Sequence, residues 1–304
     1  METQGRAEGG EPAVRAAPLR HGLLTWKGRS PRDRRGTPKG VGNRLMVKPG
    51  DQNRSDDRPL MRQTWGKLAF FHWTVPAAEV DRLLPEGIEL DLFGDQAWVS
   101  VVPFSVSGLK ASLLPPLPGL LTFNELSVRT YVRALGFPGV WHFSLDASSA
   151  VAVQAARMAF HLPYYNAEIE LGVEATQAHC RCRRRHRNAP AATFEARWAV
   201  GENLRTSRPG SLEHFLTERH SLFTSHKGRL ERFRVRHDTC ALRRGTLLEL
   251  ESTMIEAAGI PSPGEPQLVH CVDELAVEVW PLESAEAQRV RGKSTGTSPA
   301  WQIE

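Results

Sequence analysis

The run Phe123-Asn124-Glu125-Leu126-Ser127-Val128-Arg129-Thr130-Tyr131-Val132-Arg133, followed after a short break by Val140-Trp141-His142-Phe143-Ser144-Leu145-Asp146, decides how this chain is read. Both segments alternate with period two, the repeat of a strand that shows one set of side chains to each side of a sheet. Glu125, Ser127, Arg129, Tyr131 and Arg133 share one face, with Leu126, Val128 and Val132 on the other. The partner sets His142, Ser144 and Asp146 against Trp141, Phe143 and Leu145. Gly136-Phe137-Pro138-Gly139 reads as the connecting turn. A one-residue slip would set charge opposite the core, so polar face must meet polar face, which places Arg129 opposite Asp146 and Arg133 opposite His142. A guanidinium, a carboxylate, a phenol and an imidazole then share one surface. The pattern fits two architectures equally: the solvated face of an open sheet, or the wall of a ligand cavity inside a closed barrel.

Upstream, Leu68–Trp73 reads as a strand, Pro76 opens a helix through Leu84, and Ile88–Leu92 with Ala97–Phe104 reads as a hairpin around Phe93-Gly94-Asp95-Gln96. Segment 105–121 is rich in both Pro and Leu, and Leu113, Leu114, Leu117, Leu120 and Leu121 are too many to leave wet, so it is expected to cover one end of the fold or a subunit contact. Ser149–His161 reads as a helix with Val151, Ala155, Met158, Ala159 and Leu162 on its apolar face. Further strands are expected at 167–175, 191–200, 229–236, 246–252 and 275–280, and Ser211 as the N-cap of a helix through Arg219. Many short strands with interspersed helices give an α+β, mainly β domain of closed or barrel-like form.

The chain has 304 residues and a formal charge of +5, but the charge is unevenly placed. Residues 1–60 hold 13 Lys and Arg against 7 Asp and Glu, a balance of +6, leaving 26 against 27, or −1, for residues 61–304. The body is neutral, which argues against nucleic-acid binding. Gly and Pro make up a quarter of residues 1–60, so this basic tail is expected to be disordered, either as an electrostatic arm or as a dispensable extension. The expected organisation is a tail over 1–60, one β-rich domain over 61–284 and a flexible tail over 285–304. No run approaches the ~18 consecutive apolar residues of a membrane span, so no membrane association is expected. Sparse cysteines and no apolar leader segment suit a cytoplasmic location.

No Gly-x-Ser-x-Gly elbow, His-Glu-x-x-His helix or phosphate-binding loop is present. His179-Cys180-x-Cys182-x₃-His186 has metal-like spacing, but the surrounding Arg181, Arg183, Arg184, Arg185 and Arg187 would repel a cation, so the segment reads as a solvated arginine-rich tip. Neither a metal nor a cofactor is expected.

Several ordered blocks carry a resemblance: Phe71-His72-Trp73, Leu83-Leu84-Pro85-Glu86-Gly87, Ala97–Phe104, Asn124–Val132, Phe143-Ser144-Leu145-Asp146-Ala147, Leu162-Pro163-Tyr164-Tyr165, Phe215-Leu216-Thr217-Glu218-Arg219 and Trp280-Pro281-Leu282-Glu283. On these the chain resembles the YqjF-like family, domain of unknown function 2071, from about residue 60 to residue 283. That family is in turn distantly similar to acetoacetate decarboxylase, which implies a closed β-barrel or cone with a few short helices around an internal cavity. The decarboxylases use a Schiff-base lysine beside a glutamate. The resemblance sets Glu125 at the glutamate and the end of helix 149–161 at the lysine, where this chain reads Arg157-Met158-Ala159-Phe160-His161. Arginine cannot replace the lysine, because its guanidinium stays protonated.

The expected function is therefore binding of a small anionic or carbonyl-bearing metabolite in a barrel cavity, without imine chemistry. Glu125, Tyr131 and His142 are the candidate acid–base groups, and Arg129, Asp146, His161 and Tyr164 the candidate ligand contacts; core packing is the other reading of His161 and Tyr164. Whether catalysis follows is left open. The alternatives are a non-catalytic ligand-sensing module and an interaction protein acting through the basic tail. A small molecule is the expected partner, and a second copy of the chain a further candidate.

Overall fold

The computed structural model describes residues 58–111 and 122–284. The expectations for the tail over 1–57, for Leu113, Leu114, Leu117, Leu120 and Leu121, and for 285–304 lie outside the described residues.

The elements run β1 Met61–Val75, α1 Ala77–Asp81, β2 Glu89–Leu90, β3 Ala97–Ala111, β4 Thr122–Ala134, β5 Phe137–Ala147, α2 Ala150–Phe160, β6 Tyr164–Glu174, β7 Gln177–Arg184 and β8 Thr193–Asn203. Then follow α3 Leu212–Thr217, β9 Ser221–His226, β10 Arg229–Arg236, β11 Arg243–Ser252, α4 Met254–Ala257, β12 Leu268–Val279 and β13 Glu283–Ser284. The fold is mainly β, in one 13-stranded sheet. Its pairings close twice. β5-β6-β7-β8-β11-β12-β1-β3-β4 returns to β5, and β5-β9-β10-β12-β1-β3-β4 does the same by a shorter route. β5 makes both closures possible because its residues 145–147 pair with β6 while its residues 140–141 pair with β9.

The shared wall of β12, β1, β3, β4 and β5 therefore has an interior on each side. The longer ring is filled: Phe71, Trp73, Leu126, Val128, Phe194 and Trp198 form one buried cluster, with Phe71 and Trp198 edge to face at 5.2 Å. Aromatic side chains packed edge to face in this way fill much of the space between the strands. The shorter ring is lined by Leu68, Phe70, Val102, Phe104, Phe233 and Leu275, and it holds the cavity.

Three expectations need correction. β2 pairs with β4, Glu89 opposite Arg133, so it does not form a hairpin with β3. β3 continues through 105–111 as a strand. The β4–β5 turn is Leu135-Gly136, both left-handed at φ 54 and 80, which is the tight two-residue turn matched to strand twist. Phe137, Pro138 and Gly139 thus belong to β5, and Arg133 faces Pro138.

A second irregularity changes the site itself. Val128 pairs with Ser144 but Arg129 pairs with His142, so Phe143 is an extra residue, a β-bulge. Beyond a bulge the parity of a strand reverses. Val140 and His142 face the same side as Arg129, and so does Leu145, whereas Asp146 stands opposite Leu126 on the other face. Asp146 belongs to the filled ring and is not Arg129's neighbour.

Candidate active site

The cavity measures about 410 Å³ and is mostly apolar. α2 closes one side. Ser149 caps it, its side chain accepting from the Ala152 amide at 3.2 Å, and His161 ends it in a left-handed conformation at φ 53. The face turned inward is Ala152, Ala155, Ala156, Ala159 and Phe160, offset from the stripe read in the sequence; Val151 and Met158 are exposed. Alanines here let the helix lie close to the sheet while leaving space above it.

Within this apolar wall stand a few polar groups. Glu125 is buried, and both carboxyl oxygens lie within reach of the Tyr164 hydroxyl, at 3.2 and 3.1 Å. Desolvation pushes Glu125 up to about 8, against the lowering effect of that hydrogen bond. The carboxyl is thus a neutral acid near pH 7. Burial, with the negative charge of an ionised Glu125, raises the Tyr164 phenol well above its ordinary value.

Arg129 lies four residues along the same strand face, about 13 Å away by Cα. Its Nη2 donates to the Leu216 carbonyl at 3.1 Å, its Nε has no partner, and its guanidinium lies 5.2 Å from the Phe70 ring centre. Among the described residues no carboxylate comes within ion-pair distance of it. His142, opposite it across the strands, is pushed down to about 3 by desolvation and then by Arg129, so it is a neutral imidazole. Its Nδ1 is buried without a partner.

Tyr131 is fully buried but is not on the cavity wall. It ends a buried polar chain: His270 Nδ1 to His72 Nε2 at 3.2 Å, His72 Nδ1 to Ser100 Oγ at 2.7 Å, Ser100 Oγ to Tyr131 at 2.7 Å, and Tyr131 donating to the Leu216 carbonyl at 3.1 Å. All these bonds can run in one direction, each group donating to the next. That carbonyl also receives Arg129, so the chain fixes the floor on which Arg129 rests. His72, Ser100 and His270 went unnoticed in the sequence because each looks like an ordinary strand residue.

Asp146 forms a two-pronged ion pair with Arg184, Nε to Oδ1 and Nη2 to Oδ2, both 2.7 Å, in the filled ring. The arginine-rich segment is thus no uniform solvated tip: Arg181, Arg183 and Arg185 are exposed, but β7 alternation buries Arg184 with Ala178, Cys180 and Cys182. His179 points away from the two cysteines towards Glu170, and His186 receives the Asn166 amide, so these four residues do not converge. His161 also misses the cavity wall. Its ring stacks on His226 at 3.7 Å and its Nδ1 lies 3.2 Å from Glu231.

Ser211 caps α3 as expected, accepting from the His214 amide. The helix expected to run through Arg219 ends at Thr217, so Glu218, Arg219 and His220 form the turn after it. His220 is exposed, but Arg219 is buried, donating to Asp91 Oδ2 at 2.7 Å and to the Phe215 carbonyl at 2.6 Å, and it joins Arg129 on the cavity wall. Its Nη2 has no partner. Among the described residues no lysine lines the cavity; Lys67, Lys110 and Lys227 are all exposed. Arg157, at the expected lysine position, points outward and donates to the Tyr164 carbonyl.

A family model described as an uncharacterized conserved protein, DUF2071, matches residues 62–276. The chain belongs to this family. It is 35% identical over 223 residues to the Uncharacterized protein YqjF of Bacillus subtilis (strain 168), a match covering 73% of this chain and 91% of that one. Among solved structures, the DUF2071 chain is similar to the enduracididine biosynthesis enzyme MppR complexed with the condensation product of pyruvate and imidazole 4-carboxaldehyde, at TM-score 0.54 and 14% identity over 75% of this chain and 90% of that one. An acetoacetate decarboxylase-like enzyme from Sphingomonas wittichii RW1 is similar at TM-score 0.53 and 12% identity, over 75% and 93% of the two chains. At such identities the likeness is one of fold: this DUF2071 protein has an acetoacetate decarboxylase-like architecture. No helix among the described residues is long and apolar enough to cross a membrane.

Proposed function

We propose that the cavity binds a small carboxylate with an apolar body and a carbonyl group, Arg129 holding the anion and Glu125 acting as proton donor and acceptor. The observation that carries this reading is Arg129 itself. A buried guanidinium is costly unless an anion balances it, and here only a backbone carbonyl does so. The neutral His142 beside it cannot supply the charge. The Glu125 carboxyl, protonated and held by Tyr164, offers a hydrogen to a carbonyl oxygen rather than a competing negative charge. The fold relative MppR is described in complex with pyruvate, a ligand of the proposed class. With no lysine on the wall among the described residues, the chemistry this site supports is proton transfer at carbon or oxygen, not imine formation.

The test is calorimetric titration with pyruvate and with longer 2-oxo and 3-oxo carboxylates, each beside its neutral amide, together with native mass spectrometry of freshly purified protein. A charge-assisted contact contributes about 1.5–3 kcal/mol, so at least one acid should bind about 10- to 100-fold better than its amide. Arg129→Met should erase the difference. Equal affinity for acid and amide, or an unchanged preference in Arg129→Met, would remove the reading.

A further inference from the structure

We propose that Glu218, His237 and Cys240 form a three-ligand site for a zinc-like divalent metal, with a fourth position open to the cavity. The three come from two parts of the fold. Glu218 is the residue that ends α3, His237 directly follows β10, and Cys240 is three residues further on. One donor atom from each lies within 4.8 Å of the other two. A tetrahedral zinc site places its ligand atoms ~3.3–3.8 Å apart, as follows from metal–ligand bonds of about 2.0–2.3 Å, so small side-chain rotations close the set.

Hydrogen bonds hold Glu218 and His237 beside Cys240. Glu218 Oε1 accepts from the Cys240 amide at 2.9 Å and from Thr217 Oγ1 at 3.4 Å, while Oε2 lies 4.0 Å from His237 Nδ1. His237 Nδ1, the nitrogen 4.0 Å from Glu218 Oε2, donates to the Asp238 carbonyl at 2.8 Å, which leaves the lone pair on Nε2; ligation takes a turn of the ring or a shift of its proton from Nδ1 to Nε2. The side chains of His237 and Glu218 are only 4% and 5% exposed, and Cys240 is buried. Among the described residues no lysine or arginine pairs with Glu218.

Ligand chemistry selects the metal class. One thiolate, one imidazole and one carboxylate suit zinc and its neighbours in the first transition row rather than magnesium or calcium. Arg129 is close enough to act electrostatically on His237 and Cys240, and alone would oppose a cation. The charges nevertheless balance. On binding, the Cys240 S–H bond breaks, its proton leaves to solvent and an S–metal bond forms without any change of oxidation state. A divalent ion with one thiolate, one carboxylate and a neutral imidazole carries no net charge, so Arg129 faces a neutral centre. His237 and Cys240 both lie on the cavity wall. Three protein ligands with an open fourth position is the arrangement of catalytic rather than structural zinc.

This proposal stands apart from the anion reading, since sulfur ligation can be seen whether or not a carboxylate binds. The full-length protein, stripped with chelator and desalted, would be titrated with Co²⁺. The expected result is one equivalent bound, with the visible bands of four-coordinate cobalt and a thiolate-to-cobalt charge-transfer band, all displaced by Zn²⁺. All four cysteines lie among the described residues, so the sulfur can be assigned. Cys240→Ala should abolish the charge-transfer band, and Cys182→Ser should keep it. His237→Ala should weaken binding at least tenfold. Glu218→Gln, which retains the acceptor for the Cys240 amide and so preserves the fold, should weaken it as well. No charge-transfer band in the native chain, or a band that survives Cys240→Ala, would overturn the proposal, as would unchanged affinity in both His237→Ala and Glu218→Gln.

Discussion

Replacing Glu125 by glutamine should stabilise the protein, and by an amount that grows with pH. Glu125 is 4% exposed, and its carboxyl is pushed from an ordinary 4.5 up to about 8, chiefly by desolvation. The folded state therefore holds a proton that the unfolded chain releases above pH 4.5. Between these values the folded protein binds more protons than the unfolded one, so stability falls as pH rises. At ~1.4 kcal/mol per pH unit the loss reaches about 3 kcal/mol at pH 7 and levels off near 5 kcal/mol above pH 8. Glutamine has nearly the same shape, still accepts from Tyr164 and cannot ionise, so Glu125→Gln escapes the whole effect. Urea unfolding of the two proteins at pH 5, 7 and 9, at constant ionic strength, should give a difference below about 1 kcal/mol at pH 5, about 3 at pH 7 and about 5 at pH 9. A difference independent of pH, or one that shrinks towards pH 9, would mean that Glu125 is ionised in a hydrated site. The neutral-acid role would fall with it.

Other outcomes are equally specific. Arg184→Met should cost about 3–5 kcal/mol by leaving the buried Asp146 carboxylate unpaired, whereas Arg184→Met with Asp146→Leu should recover most of the loss in chemical denaturation; equal losses in both would show that the pair's net contribution is large. Gly139→Ala should destabilise by about 1–3 kcal/mol and weaken ligand retention, because a Cβ there would collide with the Ser221 carbonyl where β5 meets β9; a melting temperature within a degree of the parent would contradict that close approach. Incubation with acetoacetate and borohydride should leave no stoichiometric adduct on Lys67, Lys110 or Lys227, the lysines among the described residues, since all three are exposed. A stoichiometric adduct mapped to any of them would restore imine chemistry.

Much of the cavity wall was legible in the chain. Period-two alternation put Glu125, Ser127 and Arg129 on one face of β4 because that repeat is a property of the extended backbone itself. Ser211 announced its helix as an N-cap, whose hydrogen bond is local to the segment. The blocks from Phe71 to Trp280 carried the family, and with it the fold class. The absence of lysine from positions 111–226 was readable directly.

What the chain could not reveal depends on parity and on closure. One extra residue, Phe143, reverses the faces of β5, moving Asp146 out of Arg129's reach and into Arg184's; alternation looks the same with or without it, since a bulge is set by how two strands twist together. Arg184 lay hidden in a run of exposed arginines for the same reason. Which ring would be filled and which hollow depended on β5 and β12 each dividing their pairing between two neighbours. The sequence by itself determined the alternation along β4, with Glu125, Ser127 and Arg129 on one face and Leu126 and Val128 on the other, because no bulge interrupts that strand. Only the tertiary structure decided which side has room for a ligand, and it alone brought Glu218 beside His237 and Cys240, because pairing between distant strands is a property of the closed sheet and not of any segment within it.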